Sequence, residues 1–271
     1  MSTASCALPE RRTIRPRRRG RVGRVTRLLA HLVRMWLGAH LLLPRLGDAQ
    51  RRRLVRRWSG ALLAALRVEV QARGHLPRRD EPALFVANHV SWLDSYAVSA
   101  VAPARFVAKA EVATWPMIGT LAIRFGTIFI KRGCVRSAAR TVGALAQALH
   151  GGDAVAAFPE GTTSDGRALL PFYPAMFQST VLTGVAIRPV ALRYRDQDGA
   201  PSTAAAFVGD MSILDSLRQM LCEPRLRVDV IFCAPIDPVG RTRRELAALA
   251  RAAIADALDL AAEDLPLRRA A

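Results

Sequence analysis

The sequence predicts an α/β domain with a mostly parallel central sheet flanked by helices, preceded by an N-terminal amphipathic two-helix membrane-binding element. Three observations lead there. From residue 67 onward, short apolar runs rich in β-branched residues or Phe alternate with helical stretches. Polar clusters stand directly after several of those runs. Before them come two basic, Trp-containing segments with helical patterning.

The elements follow in order. Residues 11–27 hold nine arginines and no acid, so a solvated, disordered basic arm is expected over 1–24. The apolar run Leu28–Leu43 is broken by Arg34 and ended by Pro44, and it falls short of the roughly 18–20 apolar residues that a spanning helix needs. A basic stretch before an apolar one is also how a secretory signal begins. Here the basic stretch is long and no small-x-small site follows Leu43, so no signal is expected. In Arg51–Val68, Leu54, Val55, Trp58, Leu62 and Leu66 recur at helical spacing beside Arg51, Arg52, Arg53, Arg56 and Arg57. That is the composition of a helix lying in a headgroup layer, although a helix packed on its own domain has the same pattern. Residues 25–66 are therefore read as membrane-binding helices and 67–265 as the main domain. Strands are expected at Arg67–Gln71, Ala83–Ala87, Arg105–Ala108, Thr127–Lys131, Ala154–Phe158, Ile187–Arg193 and Arg227–Phe232. Helices are expected at Ser91–Ala100, Trp115–Phe125, Val135–His150, Pro174–Thr183 and Thr242–Leu260. Asp196–Ser202 reads as a surface loop and Arg268–Ala271 as a frayed end.

Composition narrows the function classes. Forty Lys plus Arg against 22 Asp plus Glu give a formal charge of +18, which calls for an anionic partner: lipid, nucleic acid or an acidic carrier protein. At 51% hydrophobic the chain can bury a core. Cys6, Cys134, Cys222 and Cys233 form no C-x-x-C pair, so neither a disulfide framework nor a zinc site is expected. Aromatic residues are few, at 6%, and no nucleic-acid-binding motif stands out, so no nucleic acid is expected as partner.

In α/β sheets, reactive residues collect just past the carboxyl ends of strands. Asn88-His89 follows the strand ending at Ala87, and Asp94 lies five residues beyond His89. A base needs one imidazole nitrogen free and the other N–H held, and a carboxylate does that holding. A strand-to-helix turn can fold Asp94 back onto His89. Asn88 and Ser91 are candidate substrate contacts, or simply helix caps. No G-x-S-x-G elbow is present, so the base is expected to act directly on a substrate hydroxyl, with no covalent intermediate. After the strand ending at Phe158 come Glu160, Gly161, Thr162, Thr163 and Ser164, whose hydroxyls and backbone N–H groups suit a headgroup or an oxyanion. Glu160 offers an acceptor for a substrate hydroxyl or an arginine. Lys131 and Arg132 close the strand Thr127–Lys131, and Arg suits phosphate or carboxylate.

Taken together, these residues resemble the lysophospholipid (glycerolipid) acyltransferase family. Its N-H-x-x-x-x-D block is matched by Asn88, His89 and Asp94; its G-x-I-F-I-x-R strand by Gly126, Ile128, Phe129, Ile130 and Arg132; its F-P-E-G-T-x-S block by Phe158 through Thr162 and Ser164. A proline in an apolar strand is matched by Pro189 within Ile187–Leu192, and Phe106–Lys109 with Glu111, Pro116 and Gly119 looks like the segment between the first two blocks. The resemblance covers roughly residues 65–240 in order. It implies a fatty acyl donor on acyl-carrier protein or CoA, a membrane lysolipid acceptor and no resident cofactor. It implies His89 as general base with Asp94 as its partner, and an acceptor site that includes Lys109, Arg132, Glu160 and Gly161. It implies a monotopic enzyme on the cytoplasmic face of the cell membrane. Members acting on glycerol phosphates typically carry Arg where this chain has Thr163, whereas F-P-E-G-T-T-S-D-G resembles members that acylate lyso-ornithine lipid. The acceptor headgroup, the acyl-chain length and the oligomeric state stay open. The alternative from another class is a non-catalytic basic protein that binds membrane or nucleic acid.

Overall fold

A computed structural model describes residues 18–78, 80–115, 117–130 and 135–260. Lys131, Arg132, Cys6, Cys134, Pro116 and the tail at 268–271 lie outside the described residues, as does the arm before residue 18. Helices are α1 (Arg18–Leu41), α2 (Asp48–Ala65), α3 (Asp94–Val101), α4 (Ile118–Arg124), α5 (Val135–His150), α6 (Gln178–Thr183), α7 (Ile213–Cys222) and α8 (Arg243–Ala257). Strands are β1 (Val68–Gly74), β2 (Ala83–Ala87), β3 (Arg105–Lys109), β4 (Ile128–Ile130), β5 (Ala154–Ala157), β6 (Ile187–Arg195) and β7 (Leu226–Phe232). They form one seven-stranded sheet in the order β1-β7-β6-β2-β5-β3-β4. Only the β6/β7 pair is antiparallel; the other five pairings are parallel.

Every expected strand is present. β2 is buried along its whole length, as a central strand covered on both faces must be, and it reads as an unbroken apolar run. Its side chains alternate. Ala83, Phe85 and Ala87 join a core with α1, α2 and α3, while Leu84 and Val86 join a second core with α5 and α8. The result is a three-layer α/β/α sandwich, with the sheet between two helical layers.

Two features depart from the sequence reading. Helix α7 was not foreseen. Its start is marked by Ser212, whose hydroxyl accepts the Asp215 N–H, and Met220 joins the first core. The basic arm was expected to reach residue 24, yet α1 begins at Arg18. Arg24 explains why. Its side chain is buried, and its guanidinium donates to the carbonyls of Leu66, Met220, Leu221 and Glu223 at 2.9–3.3 Å. These carbonyls lie at the C-terminal ends of α2 and α7, where a cation is favoured.

Helices α1 and α2 are also integral to the fold. Leu28, Met35, Ala39, Trp58, Leu62 and Leu63 lie in the same core as the sheet. Gly38 on α1 is required by this packing, because a Cβ there would stand 2.4 Å from the Trp58 ring. No described helix is long and apolar enough to cross a membrane.

Arg24→Gln should remove most of the guanidinium's donors from buried carbonyls. The expected cost is about 2–4 kcal/mol, read as a lower denaturant midpoint with the secondary structure of the native state retained.

Candidate active site

The carboxyl ends of β2, β5 and β3 lie side by side in the sheet. They bring His89 and Glu160 to one edge, as the strand-end reading expects, with Lys109 at the end of β3 beside them; the third expected cluster, Lys131 and Arg132, lies outside the described residues. The turn between β2 and α3 is built around Asp94. Its carboxylate is fully buried. Oδ2 accepts the Val90 N–H at 2.7 Å, the Ser91 N–H at 2.8 Å and the His89 Nδ1–H at 2.9 Å. Oδ1 accepts the Tyr194 hydroxyl at 2.8 Å. Because a carboxylate only accepts, a neutral His89 carries its proton on Nδ1 and leaves the Nε2 lone pair available. Nε2 has no protein partner among the described residues, and the side chain is partly exposed. The imidazole stacks on Phe158, with ring centroids 3.9 Å apart and planes at 8°, so the ring is held on two sides.

Several residues expected to meet substrate are turned inward. The buried Asn88 side chain spans to β6, donating to the Leu192 carbonyl at 3.0 Å and accepting the Leu192 N–H at 2.7 Å. Ser91 is buried in the turn, where its hydroxyl accepts the Leu93 N–H. Asn88 thus ties the turn to β6, and Ser91 bonds within the turn. Glu160 is turned inward as well. It is buried, and its two oxygens accept the N–H groups of His89 at 2.9 Å and Leu170 at 3.2 Å. Burial, aided by the nearby Asp94 charge, pushes its carboxyl up to about 8 against those two N–H groups. Glu160 braces the loop that presents His89.

The remaining loop residues lie around the ring. Gly161 takes φ 70, a left-handed conformation that favours glycine, and its N–H closes a turn on the Phe158 carbonyl at 3.0 Å. The Ser164 N–H donates to the His89 carbonyl at 2.8 Å. The Thr163 hydroxyl donates to the Phe207 carbonyl, and the Phe207 N–H donates to the Val90 carbonyl at 2.9 Å. Thr162 is exposed. The N–H groups of Thr162 and Thr163 make no hydrogen bond among the described residues. Lys109, at the end of β3, lines a groove of about 500 Å³ together with Glu111, Val112, Trp115, Phe207 and Ile213. Phe207 therefore belongs both to this groove and to the hydrogen-bonded shell around His89. Lys131 and Arg132 lie beyond the described end of β4.

Tyr194 was missed from sequence. It sits on β6, 100 positions from the carboxylate it serves, and burial with the Asp94 charge raises its phenol well above the usual value. No local spacing signals such a contact.

A carboxylate-held imidazole with its second nitrogen open, at the strand ends of a parallel sheet, is equipped for proton abstraction from a hydroxyl. The model of the family described as Acyltransferase matches residues 67–193, the stretch that carries His89, Asp94 and Glu160, and the chain belongs to that family. More particularly, it is 43% identical over 191 residues to the lyso-ornithine lipid O-acyltransferase of Pseudomonas aeruginosa, covering 70% of this chain and 73% of that one. It is 37% identical over 183 residues to the 1-acyl-sn-glycerol-3-phosphate acyltransferase of Neisseria gonorrhoeae, covering 66% and 71%. The crystal structure of the 1-acyl-sn-glycerophosphate acyltransferase PlsC from Thermotoga maritima shares the fold, with a TM-score of 0.62 at 19% identity over 87% of this chain and 96% of that one.

The raised Glu160 carboxyl has a sign in stability. Between about 4.5 and about 8 the folded state holds a proton at Glu160 that the unfolded chain releases, so this group's contribution to stability is full below that window and falls as pH rises through it. Glu160→Gln should remove that part of the slope. Urea midpoints of both proteins measured from pH 4.5 to 8.5 check it: the wild-type midpoint should fall more steeply.

Proposed function

We propose that this enzyme moves a fatty acyl group from acyl-carrier protein or acyl-CoA to the free hydroxyl of a membrane lysolipid. The acceptor hydroxyl loses its proton to His89 Nε2 as its oxygen attacks the thioester carbonyl. Asp94 holds the imidazolium that forms, with Tyr194 fixing the carboxylate. Collapse of the tetrahedral intermediate breaks the C–S bond, and His89 returns the proton to the departing thiol. The unbonded N–H groups of Thr162 and Thr163 are the oxyanion donors in this scheme. The observation that carries the reading is the open Nε2 of a carboxylate-held imidazole, on a chain with no nucleophile elbow.

For the acceptor, lyso-ornithine lipid is the leading reading. Thr163 contributes no charge, and its hydroxyl is committed to Phe207, which suits a headgroup without phosphate. The relative at 43% identity carries that specificity in its name. Lysophosphatidic acid is the second reading, favoured by the exposed cation Lys109 at the rim of the groove, with Arg132 in the matching family position.

The same reading makes the protein peripheral, on the cytoplasmic face of the membrane. Supporting it, α1 leaves Val25, Leu29, Val33, Trp36, Leu37 and Leu41 exposed at spacings of three and four residues, one apolar stripe. On α2, Arg53, Arg56 and Arg57 are exposed and make no ion pair among the described residues, which suits an anionic headgroup layer.

His89→Ala should lower turnover by about 10²–10⁴-fold with lipid binding near wild type and a lowered thermal midpoint, because buried Asp94 loses one of its four donors; near-normal turnover would overturn the mechanism. Acceptor choice is settled by offering purified enzyme, with labelled acyl-carrier protein, lysophosphatidic acid and lyso-ornithine lipid in parallel. Preference for the lyso-ornithine lipid is expected, and preference for the phosphate replaces it with the second reading.

A further inference from the structure

The outward apolar residues of α1 continue onto a second element. Helix α4 packs against α1, and the two are wedged by Trp58, which meets Gly38 of α1 on one side and the Phe125 ring at 6.1 Å on the other. The inner side of α4 is set: Leu121 is buried, and Gly119 lies so close to the Ala113 carbonyl that a Cβ would stand 2.2 Å from it. The outer side is apolar and open. Trp115 is 42% exposed, Met117 43%, Ile118 37% and Ile123 55%. Four large apolar side chains exposed on and just before one short helix form a plate beside the apolar stripe of α1, denser than the scattered single residues of an ordinary surface.

The charge around this plate selects what covers it. No acid occurs from residue 112 to 130 or from 11 to 47, while Arg27, Arg34 and Arg124 are exposed. A second copy of the chain would bring its own +18 charge and be repelled. An acidic carrier protein would also be drawn to Arg27, Arg34 and Arg124, but a polar acidic surface would leave Trp115, Met117, Ile118 and Ile123 without apolar cover. A cation-flanked apolar surface with Trp36 and Trp115 fits the interfacial layer of an anionic bilayer. The groove lined by Lys109 and Phe207 has Trp115 as one wall, and the Phe207 N–H donates to the carbonyl of Val90, the residue after His89.

The geometry points to Trp115–Arg124 as a second membrane-contact element. With α1 it forms one lipid-facing surface, and Trp115 of that surface also lines the groove that holds Lys109 and Phe207. The inference rests on the lysolipid reading above and extends the membrane surface beyond residues 25–66.

The test places an environment-sensitive fluorophore at Val33→Cys on α1, Ile123→Cys on α4 or Gln147→Cys on α5, in full-length chains whose native cysteines are replaced by Ser. Vesicles of phosphatidylcholine and phosphatidylglycerol carry nitroxide-labelled lipid as quencher. Quenching at 33 and 123, each several-fold above 147, is expected. Quenching at 33 with none at 123 overturns this proposal and leaves the α1 reading standing; quenching at neither overturns both. An Ile118→Glu/Ile123→Glu double variant gives a second measurement, independent of labelling. Its vesicle affinity should drop at least about tenfold, the equivalent of 1.4 kcal/mol. Turnover of vesicle-borne lysolipid should drop with it, while turnover of a short-chain lysolipid in free solution stays at wild type. Unchanged vesicle affinity in a variant of wild-type thermal midpoint would overturn the proposal.

Discussion

The buried Asp94 carboxylate organises the site. An ionised carboxylate removed from water is tolerable only when its lone pairs are taken up, and here four donors converge on it: two backbone N–H groups of its own turn, the His89 ring and the Tyr194 hydroxyl. Each donor comes from a different structural commitment. The backbone pair forces the tight turn after β2. The ring is thereby drawn onto the carboxylate, and its stack on Phe158 ties it to the loop after β5. Tyr194 ties the carboxylate to β6, the neighbour of β2 on the other side. One acidic group thus joins three adjacent strands and sets the tautomer of the His89 imidazole.

Asn88 and Glu160 extend the same logic outward. Asn88 copies a strand partner, satisfying both backbone groups of Leu192 with one amide side chain. Glu160 does for the His89 N–H what an extra strand would do. Polar side chains replace sheet hydrogen bonds where the loop leaves the sheet, and backbone groups that a cleft would otherwise orphan are satisfied. The position of Nε2 therefore depends on residues that need never touch substrate.

Much of this was legible in the sequence because much of it is local. The seven strands announced themselves as apolar runs between turn residues, and the hydrogen-bonded pair of His89 and Asp94 as an imidazole and its carboxylate partner across one turn. What escaped was directional or distant. Residue type told that Asn88, Ser91 and Glu160 carry hydrogen-bonding groups, but their direction follows from the register of β2, β5 and β6, which is a property of the whole sheet. Tyr194 alternates on β6 with Val190 and Leu192 toward the same core, so its apolar ring masked its polar tip. Helix α7 is only ten residues long, and its Ser212 cap sits in a long excursion between the two antiparallel strands.

Arg24 carries a consequence for modularity. By engaging the ends of two other helices at once, it makes the first helix complementary to backbone contributed by residues 66 and 220–223. The N-terminal helices are thus not an interchangeable adaptor. A chimera that grafts residues 18–65 from a relative inherits a guanidinium, or its absence, that must match carbonyls nearly 200 positions away. Exchange between such chains is constrained to travel as a pair, the first helix together with the turn that ends α7.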